Sequence, residues 1–422
     1  MTKESVSPDR PRADIRHYKF CRICDSPAVD TVIELTATPP ADMFLPEPIK
    51  NTSNTRYPLD VGICQECSYL QLRSVLSPEK LYPEFSYLTA TTVGLVDHYE
   101  EYVNALLSLG VIRSKSLVVD IGSNDGSFLK AFGSHRARLL GIEPSKEVAK
   151  LANLDVPTIC EFFDESLVSK IVSDEGKASL VTANYMYANV ENVLDFTHNV
   201  CCLLEEDGLF VVQTGYHPDQ MKRFMFDYIY HEHLSYFSVY VLKNIFERCG
   251  LELIHVERNN MKGGSIRVVG QKIGGSRNRD KSVAEFLSEE TSQKIHSKEI
   301  YQEYSAIIKT KGLKLRQLLS SLLAEGKRVV GYGASHSTTT LMYHFELGNY
   351  LDYLIDDNEL KHSCVSPGLH LPVFPTKKIY DDSPDYVLIL AWQHGSTILE
   401  RNKCFLKTGG KFILPLPIPH IL

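Results

Sequence analysis

The chain has 422 residues, 43% of them hydrophobic and 23% charged, with a formal net charge of −7. That length exceeds one ordinary core and predicts two or three domains, while the acidic balance gives no basic footprint and argues against nucleic acid as a partner. No apolar run approaches the roughly 20 residues needed to cross a bilayer, so no membrane partner is expected. The polar opening "MTKESVSPDRPRADIRHYKF" lacks a signal-peptide stretch and reads as a disordered lead-in to a cytoplasmic protein.

The first segment, residues 1–80, contains "CRIC", a 39-residue interval and "CQEC". Two residues between thiolates let both sulfurs turn onto one ion, and two such knuckles complete a tetrahedral zinc site. Cys21, Cys24, Cys64 and Cys67 are therefore the expected metal ligands. All four are thiols and no water position is suggested, so the zinc is expected to be structural. The other six cysteines are scattered and read as small core residues.

The second segment, 81–275, alternates strand and helix. "SLVVDIGSNDGSFLKAF" reads as a strand Leu117–Ile121, a glycine turn, and a helix from about Ser127. "ARLLGIEPS", "SLVTANYMYANV" and "GLFVVQTGY" supply further strands, so a parallel α/β sheet is expected, with ligand at its carboxyl edge. Glycine turns of this kind hold dinucleotides or S-adenosylmethionine. Asp120, just before the turn, would repel a pyrophosphate but suits a cationic sulfonium and ammonium, and Gly122 and Gly126 lack the G-x-G-x-x-G spacing. S-adenosylmethionine is the expected cofactor, with Asn124 in the turn, Glu143 placed to accept ribose hydroxyls, and Asn184 at a third strand end.

Within the same segment "DYIYHEHLSYF" leaves three readings open. Phe226, Tyr228 and Tyr230 alternate as in a half-buried aromatic strand; His231 and His233 would share one strand face and could hold a metal; or a proton is removed here.

The third segment, 276–422, begins with a helix-favouring run from Ser282 to Ala324 and continues through "KRVVGYGASHSTTTLMYHF", "LDYLIDDNELKH" and "DYVLILAW". These predict a second, smaller doubly wound α/β unit. Its glycine turn reads equally as a structural echo or as a nucleotide-phosphate site, and the nearby hydroxyls either contact ligand or cap the helix.

Taken in order, "CRIC…CQEC", "VDIGSNDGSFL…GIEPS", "YHEH" and "GYGAS…DDNELKH…PGLHLPVF…AW" resemble the zinc-containing deoxysugar C-methyltransferases along nearly the whole chain. The resemblance implies a three-part α/β architecture: a zinc-binding module, a Rossmann-like class I methyltransferase domain, and a C-terminal nucleotide-sugar-binding domain. It implies methylation of the carbon beside the ketone of a nucleotide-linked keto-sugar, through an enolate. His233 would then be the base, with Tyr230 and Glu232 beside the sugar; Tyr87, Tyr332, Ser335 and Ser337 would contact substrate. The chain departs from the usual pattern at Ser337, where lysine is common, at Gln213, where an acid is common, at Asn189, where histidine is common, and in "AWQHG". Two other functions compete: an O- or N-methyltransferase, and a non-catalytic zinc-ribbon binding protein. The sequence does not indicate an oligomeric state.

Overall fold

The computed structural model describes residues 14–46, 55–81, 88–92, 94–133 and 135–422. Most of the expected N-terminal lead-in and the candidate Tyr87 lie outside the described residues.

The strands of the middle segment are buried on both faces, as the apolar runs LVVDI and ASLVTAN require of central parallel strands. Leu117–Ile121, Arg138–Ile142, Thr158–Ile159, Ala178–Asn184, Leu204–Gly215, Leu251–Asn259 and Ser265–Lys272 form one seven-stranded sheet. Counted in chain order, they lie 3-2-1-4-5-7-6, and only the seventh runs opposite to the rest. The chain reverses direction of winding between the first and fourth strands, which opens a crevice at their carboxyl ends. Asp120 and Asn184 stand there. The helix expected near Ser127 is short, Ser127–Lys130.

The C-terminal segment repeats the principle on a smaller scale. Val329–Tyr332, Leu354–Asp356, Val373–Pro375, Tyr386–Ile389 and Lys411–Leu414 are parallel in the order 3-2-1-4-5, and His420–Ile421 adds an antiparallel edge. The helix-favouring run divides into Lys281–Ser292 and Lys298–Ala324, with Lys294 at φ +57° between them. The first helix packs on the strand Leu251–Asn259 of the middle sheet and the second on the strand Val29–Thr38.

The N-terminal module is built on an antiparallel sheet of Val29–Thr38, Tyr57–Cys64 and Leu70–Leu72. Its fourth strand, Ser235–Tyr236, comes from the "YHEH" region, with Ser235 opposite Gln71 and Tyr236 opposite Leu70. Cores are shared in the same way. Cys21, Ile23, Cys64 and Tyr69 pack in one cluster with Leu117, Val119 and Val181 of the middle sheet. Val32, Leu59 and Val61 join Phe226 and Ile229 with Leu341 and Phe345 of the C-terminal unit. A run of rings carries the contact inward: Tyr69 stacks on Phe237 at 6.5 Å, and Phe237 on Tyr187 at 5.2 Å. Such pairs contribute about 0.5–1.5 kcal/mol each beyond their buried area. Among the described residues no helix is long and apolar enough to cross a membrane.

Candidate active site

The four thiols expected to bind metal converge. Their sulfurs lie within 4.8 Å of one another, with Cys21 to Cys67 and Cys24 to Cys64 both at 3.5 Å. A tetrahedral Zn–S4 site with bonds of about 2.3 Å places its sulfurs about 3.8 Å apart, so the cradle fits zinc. The cysteines lie in two tight turns, closed by Asp25 N–H to the Cys21 carbonyl and Ser68 N–H to the Cys64 carbonyl. Asp25 and Ser68 have φ +57° and +59°. Burial pushes the Cys24 thiol up to about 11, an obstacle that a bound cation removes.

At the crevice of the middle sheet, Asp120 Oδ1 accepts from Thr182 Oγ1 at 2.6 Å and Asn184 Nδ2 at 3.1 Å. Burial raises the Asp120 carboxyl to about 7 against these bonds, and burial also raises Glu143. No basic side chain contributes to either shift. Glu143 accepts the backbone N–H of Asn124 at 3.1 Å and of Ser145 at 2.9 Å. The Asn184 side-chain oxygen is buried without a hydrogen-bond partner. Two buried carboxylates and an orphaned carbonyl are an acceptor set that suits a cationic, ribose-bearing ligand. The turn itself needs glycine: Gly122 has φ +69°, and a Cβ there would stand 2.7 Å from the Met186 side chain.

Asp125, which sequence reasoning passed over, joins a second loop to this turn. Its Oδ2 accepts the Ala90 N–H at 2.8 Å, while Asn124 Oδ1 accepts the Thr89 N–H at 2.8 Å. The stretch Thr89–Thr91 is thereby fastened to the glycine turn. Asp120→Ala is expected to weaken S-adenosylmethionine binding about 10- to 100-fold, the scale of one lost charge-assisted hydrogen bond, as measured by calorimetry.

The "DYIYHEHLSYF" segment is not a continuous strand. Phe226–Tyr228 form a 3₁₀ turn, residues 229–234 a loop, and only Ser235–Tyr236 pair with a sheet. His231 and His233 therefore do not share a strand face, and the four thiols are the one metal-capable cluster of their kind among the described residues. His231 is structural: its Nε2 lies 3.3 Å from the Tyr57 carbonyl, and burial lowers it to about 4.

His233 sits differently. Its Nδ1 lies 2.9 Å from the Tyr228 carbonyl and its Nε2 3.0 Å from the Tyr230 hydroxyl. A carbonyl only accepts, so Nδ1 carries the ring proton and the Nε2 lone pair faces the tyrosine. Burial lowers the imidazole to about 4, against the Tyr228 bond and the nearby Glu232 carboxylate, so the ring is neutral around pH 7. The loop is held from three sides. Leu234 N–H bonds the Ala188 carbonyl at 2.8 Å, which ties it to the exit of the strand ending in Asn184. The Leu234 carbonyl accepts from Leu72 N–H at 3.0 Å and from Arg22, inside the first zinc knuckle. Asp227 receives the Trp392 indole N–H at 2.9 Å and the Gln393 amide at 3.0 Å, so "AWQHG" grips the start of the loop.

The C-terminal candidates separate. Ser335 does not cap its helix with its side chain; its hydroxyl lies 3.1 Å from that of Ser337 and 3.2 Å from that of Thr338. Tyr332 donates to Asp357 at 2.9 Å, away from the Tyr230–His233 pair in its contacts. The neighbour that does reach the loop is His336, whose Nε2 lies 3.2 Å from Glu232 Oε1. Gln213 is buried, and its side-chain oxygen accepts from Arg267 at 3.1 Å and lies 3.0 Å from His98 Nε2.

Three family models match in succession. "Putative zinc binding domain" covers residues 21–82, "Methyltransferase domain" 97–256, and "C-methyltransferase C-terminal domain" 260–417. The chain is 31% identical to the C-methyltransferase NovU of Streptomyces niveus over 410 residues, 97% of this chain and 98% of that one. Solved structures overlap the chain more weakly. Magnesium protoporphyrin IX methyltransferase of Synechocystis PCC 6803, with bound SAM, is 12% identical over 43% of this chain and 80% of its own, with a TM-score of 0.33. The YcgJ protein of Bacillus subtilis is 14% identical over 42% of this chain and 100% of its own, with the same TM-score of 0.33. Likeness this low carries no weight for the site or its chemistry. The full-length match and the three successive domains decide the matter: the chain belongs to the C-methyltransferase family, as a zinc-binding, S-adenosylmethionine-dependent enzyme with a class I methyltransferase domain at its centre.

Proposed function

We propose that this enzyme methylates the carbon next to the ketone of a nucleotide-linked keto-deoxysugar, with His233 as the base, and that it does so in the cytoplasm. The observation that carries the reading is the fixed tautomer of a buried, neutral histidine. With Nδ1–H engaged by the Tyr228 carbonyl, Nε2 is the atom that can take a proton, and a phenol stands 3.0 Å from it.

S-adenosylmethionine, when bound, supplies an electrophilic methyl group. Asp120, Glu143, Asn184 and the turn of Gly122, Asn124 and Gly126 would hold it, the acids answering its positive charges and ribose hydroxyls. The chain's own part is proton chemistry. A C–H beside a ketone is acidic enough for a positioned imidazole, which typically contributes about 10²–10⁴ in rate. His233 Nε2 removes that proton, and the Glu232 carboxylate favours the imidazolium so formed. Tyr230 donates its hydroxyl to the oxygen on which charge develops. Tyr332, Ser335 and Ser337 remain proposed contacts of the nucleotide-sugar, in a C-terminal unit assigned to 276–422, behind a donor-binding unit of 81–275 and the zinc module of 1–80. Tyr87 is proposed as a sugar contact from its sequence context alone.

The test is the product. The enzyme is incubated with S-adenosylmethionine and a panel of nucleotide-linked keto-sugars, and the product is read by carbon–proton NMR. A methyl group bonded to ring carbon is expected. A methyl group on oxygen or nitrogen from any panel member, with none on carbon, would overturn the reading in favour of another methyl acceptor.

A further inference from the structure

His336 opens the helix His336–His344 in the C-terminal unit, and nothing in the sequence singles it out. In the fold it stands between two carboxylates from two other parts of the chain. Its Nε2 is 3.2 Å from Glu232 Oε1 in the catalytic loop, and its Nδ1 is 3.7 Å from Asp42 Oδ1 in the N-terminal module. Asp42 also receives Lys361 Nζ at 2.6 Å, and the Lys361 ammonium lies over the Phe44 ring at 4.8 Å. The imidazole of His336 faces the Tyr230 ring at 5.2 Å, and Tyr230 in turn lies against His233 with ring centroids 4.1 Å apart. His336 keeps 23% of its side-chain surface exposed and Glu232 11%, so the group is mostly buried and does not lie open to solvent.

We propose that His336 is an active-site positioning residue, a cationic bridge between Glu232 and Asp42 that holds the Glu232 carboxylate and the Tyr230 ring in register with the base His233. The inference deepens the proposed function and rests on its assignment of His233. Burial alone would lower the His336 imidazole, but Glu232 and Asp42 more than reverse this and raise it to about 9. The groups facing it are those two carboxylates, Lys361, whose charge works against protonation, the neutral His233, and the Tyr230 phenol. On this arrangement the bridge is charged at neutral pH and is lost as pH rises through about 9. Loss of the charge weakens the hold on Glu232 and, through it, the placement of the Tyr230 ring. Misplacement of a catalytic group by about 1 Å can cost about 100-fold in rate.

Two readouts test this in the full-length, zinc-loaded enzyme. The first is histidine ring NMR, with the His336 signal assigned by its disappearance in His336→Gln. Titration near pH 9, falling by a unit or more in Asp42→Asn and in Glu232→Gln, is expected; titration at or below the ordinary value near 6.5 would overturn the bridge. The second is kinetic. His336→Gln is expected to lower kcat about 10- to 100-fold with S-adenosylmethionine affinity unchanged, and to lose the alkaline limb that the bridge predicts near pH 9 in the parent enzyme. His336→Lys, which restores a cation, is expected to recover part of the rate and move that limb upward. The failures are separable. Methyl transfer to no keto-sugar by the parent enzyme would overturn the proposed function. Transfer that His336→Gln performs equally well would overturn the role of His336.

Discussion

Replacement of His233 by asparagine is expected to lower turnover by about 10²–10⁴, the range of a positioned general base, while zinc content and S-adenosylmethionine affinity stay at parental values. The reason lies in the separation of parts. His233 makes its contacts with Tyr228 and Tyr230 inside its own loop, whereas Asp120, Glu143 and Asn184 belong to strand ends of the parallel sheet. Asparagine can keep a bond to the Tyr228 carbonyl through its amide N–H but has no basic nitrogen to take a proton. Metal analysis, calorimetry and steady-state kinetics on one preparation check the three statements together. Parental turnover in His233→Asn would remove the histidine from the chemistry.

Loss of zinc is expected to act more broadly. Structural zinc contributes about 10–16 kcal/mol in small zinc modules, comparable with or greater than the whole stability of a typical domain, about 5–15 kcal/mol. The module here is not an independent appendage. Cys21, Cys64 and Tyr69 pack in the same cluster as Leu117 and Val181 of the middle sheet. Arg22, between the first two ligands, holds the Leu234 carbonyl one residue beyond His233 and the Glu191 carbonyl at 3.1 Å. Cys64→Ser, or chelation in mild denaturant, is therefore expected to abolish turnover and lower the melting temperature. Donor affinity should fall as well, in contrast to His233→Asn. A zinc-free Cys64→Ser protein with parental melting temperature and turnover would contradict this.

Much of this design was legible in the chain itself because the decisive signals are local. Two C-x-x-C knuckles point to one metal, and the apolar run before Gly122 is the buried strand Leu117–Ile121, with Asp120 near its carboxyl end. The conformation of "DYIYHEHLSYF" was not legible. Its alternating aromatics have the period of a strand, but the segment folds as a 3₁₀ turn and loop because its partners are tertiary: Leu72, Ala188, Arg22 and Trp392. His336 was hidden for the same reason, since Asp42 and Glu232 stand 294 and 104 positions before it in sequence. The helix-favouring run Ser282–Ala324 is helical but broken around Lys294, whose left-handed backbone no glycine or proline announced.

The most direct test of the central claim is solvent exchange at the substrate carbon without any methyl donor. A nucleotide-linked keto-sugar that the enzyme methylates is incubated with it in heavy water, and deuterium beside the ketone is read by mass spectrometry. The expected result is enzyme-dependent exchange of that one position, lost in His233→Asn. Methylation of the sugar carbon by an enzyme that gives no exchange, or exchange undiminished in His233→Asn, would contradict the assignment of "YHEH" as the place where the proton leaves.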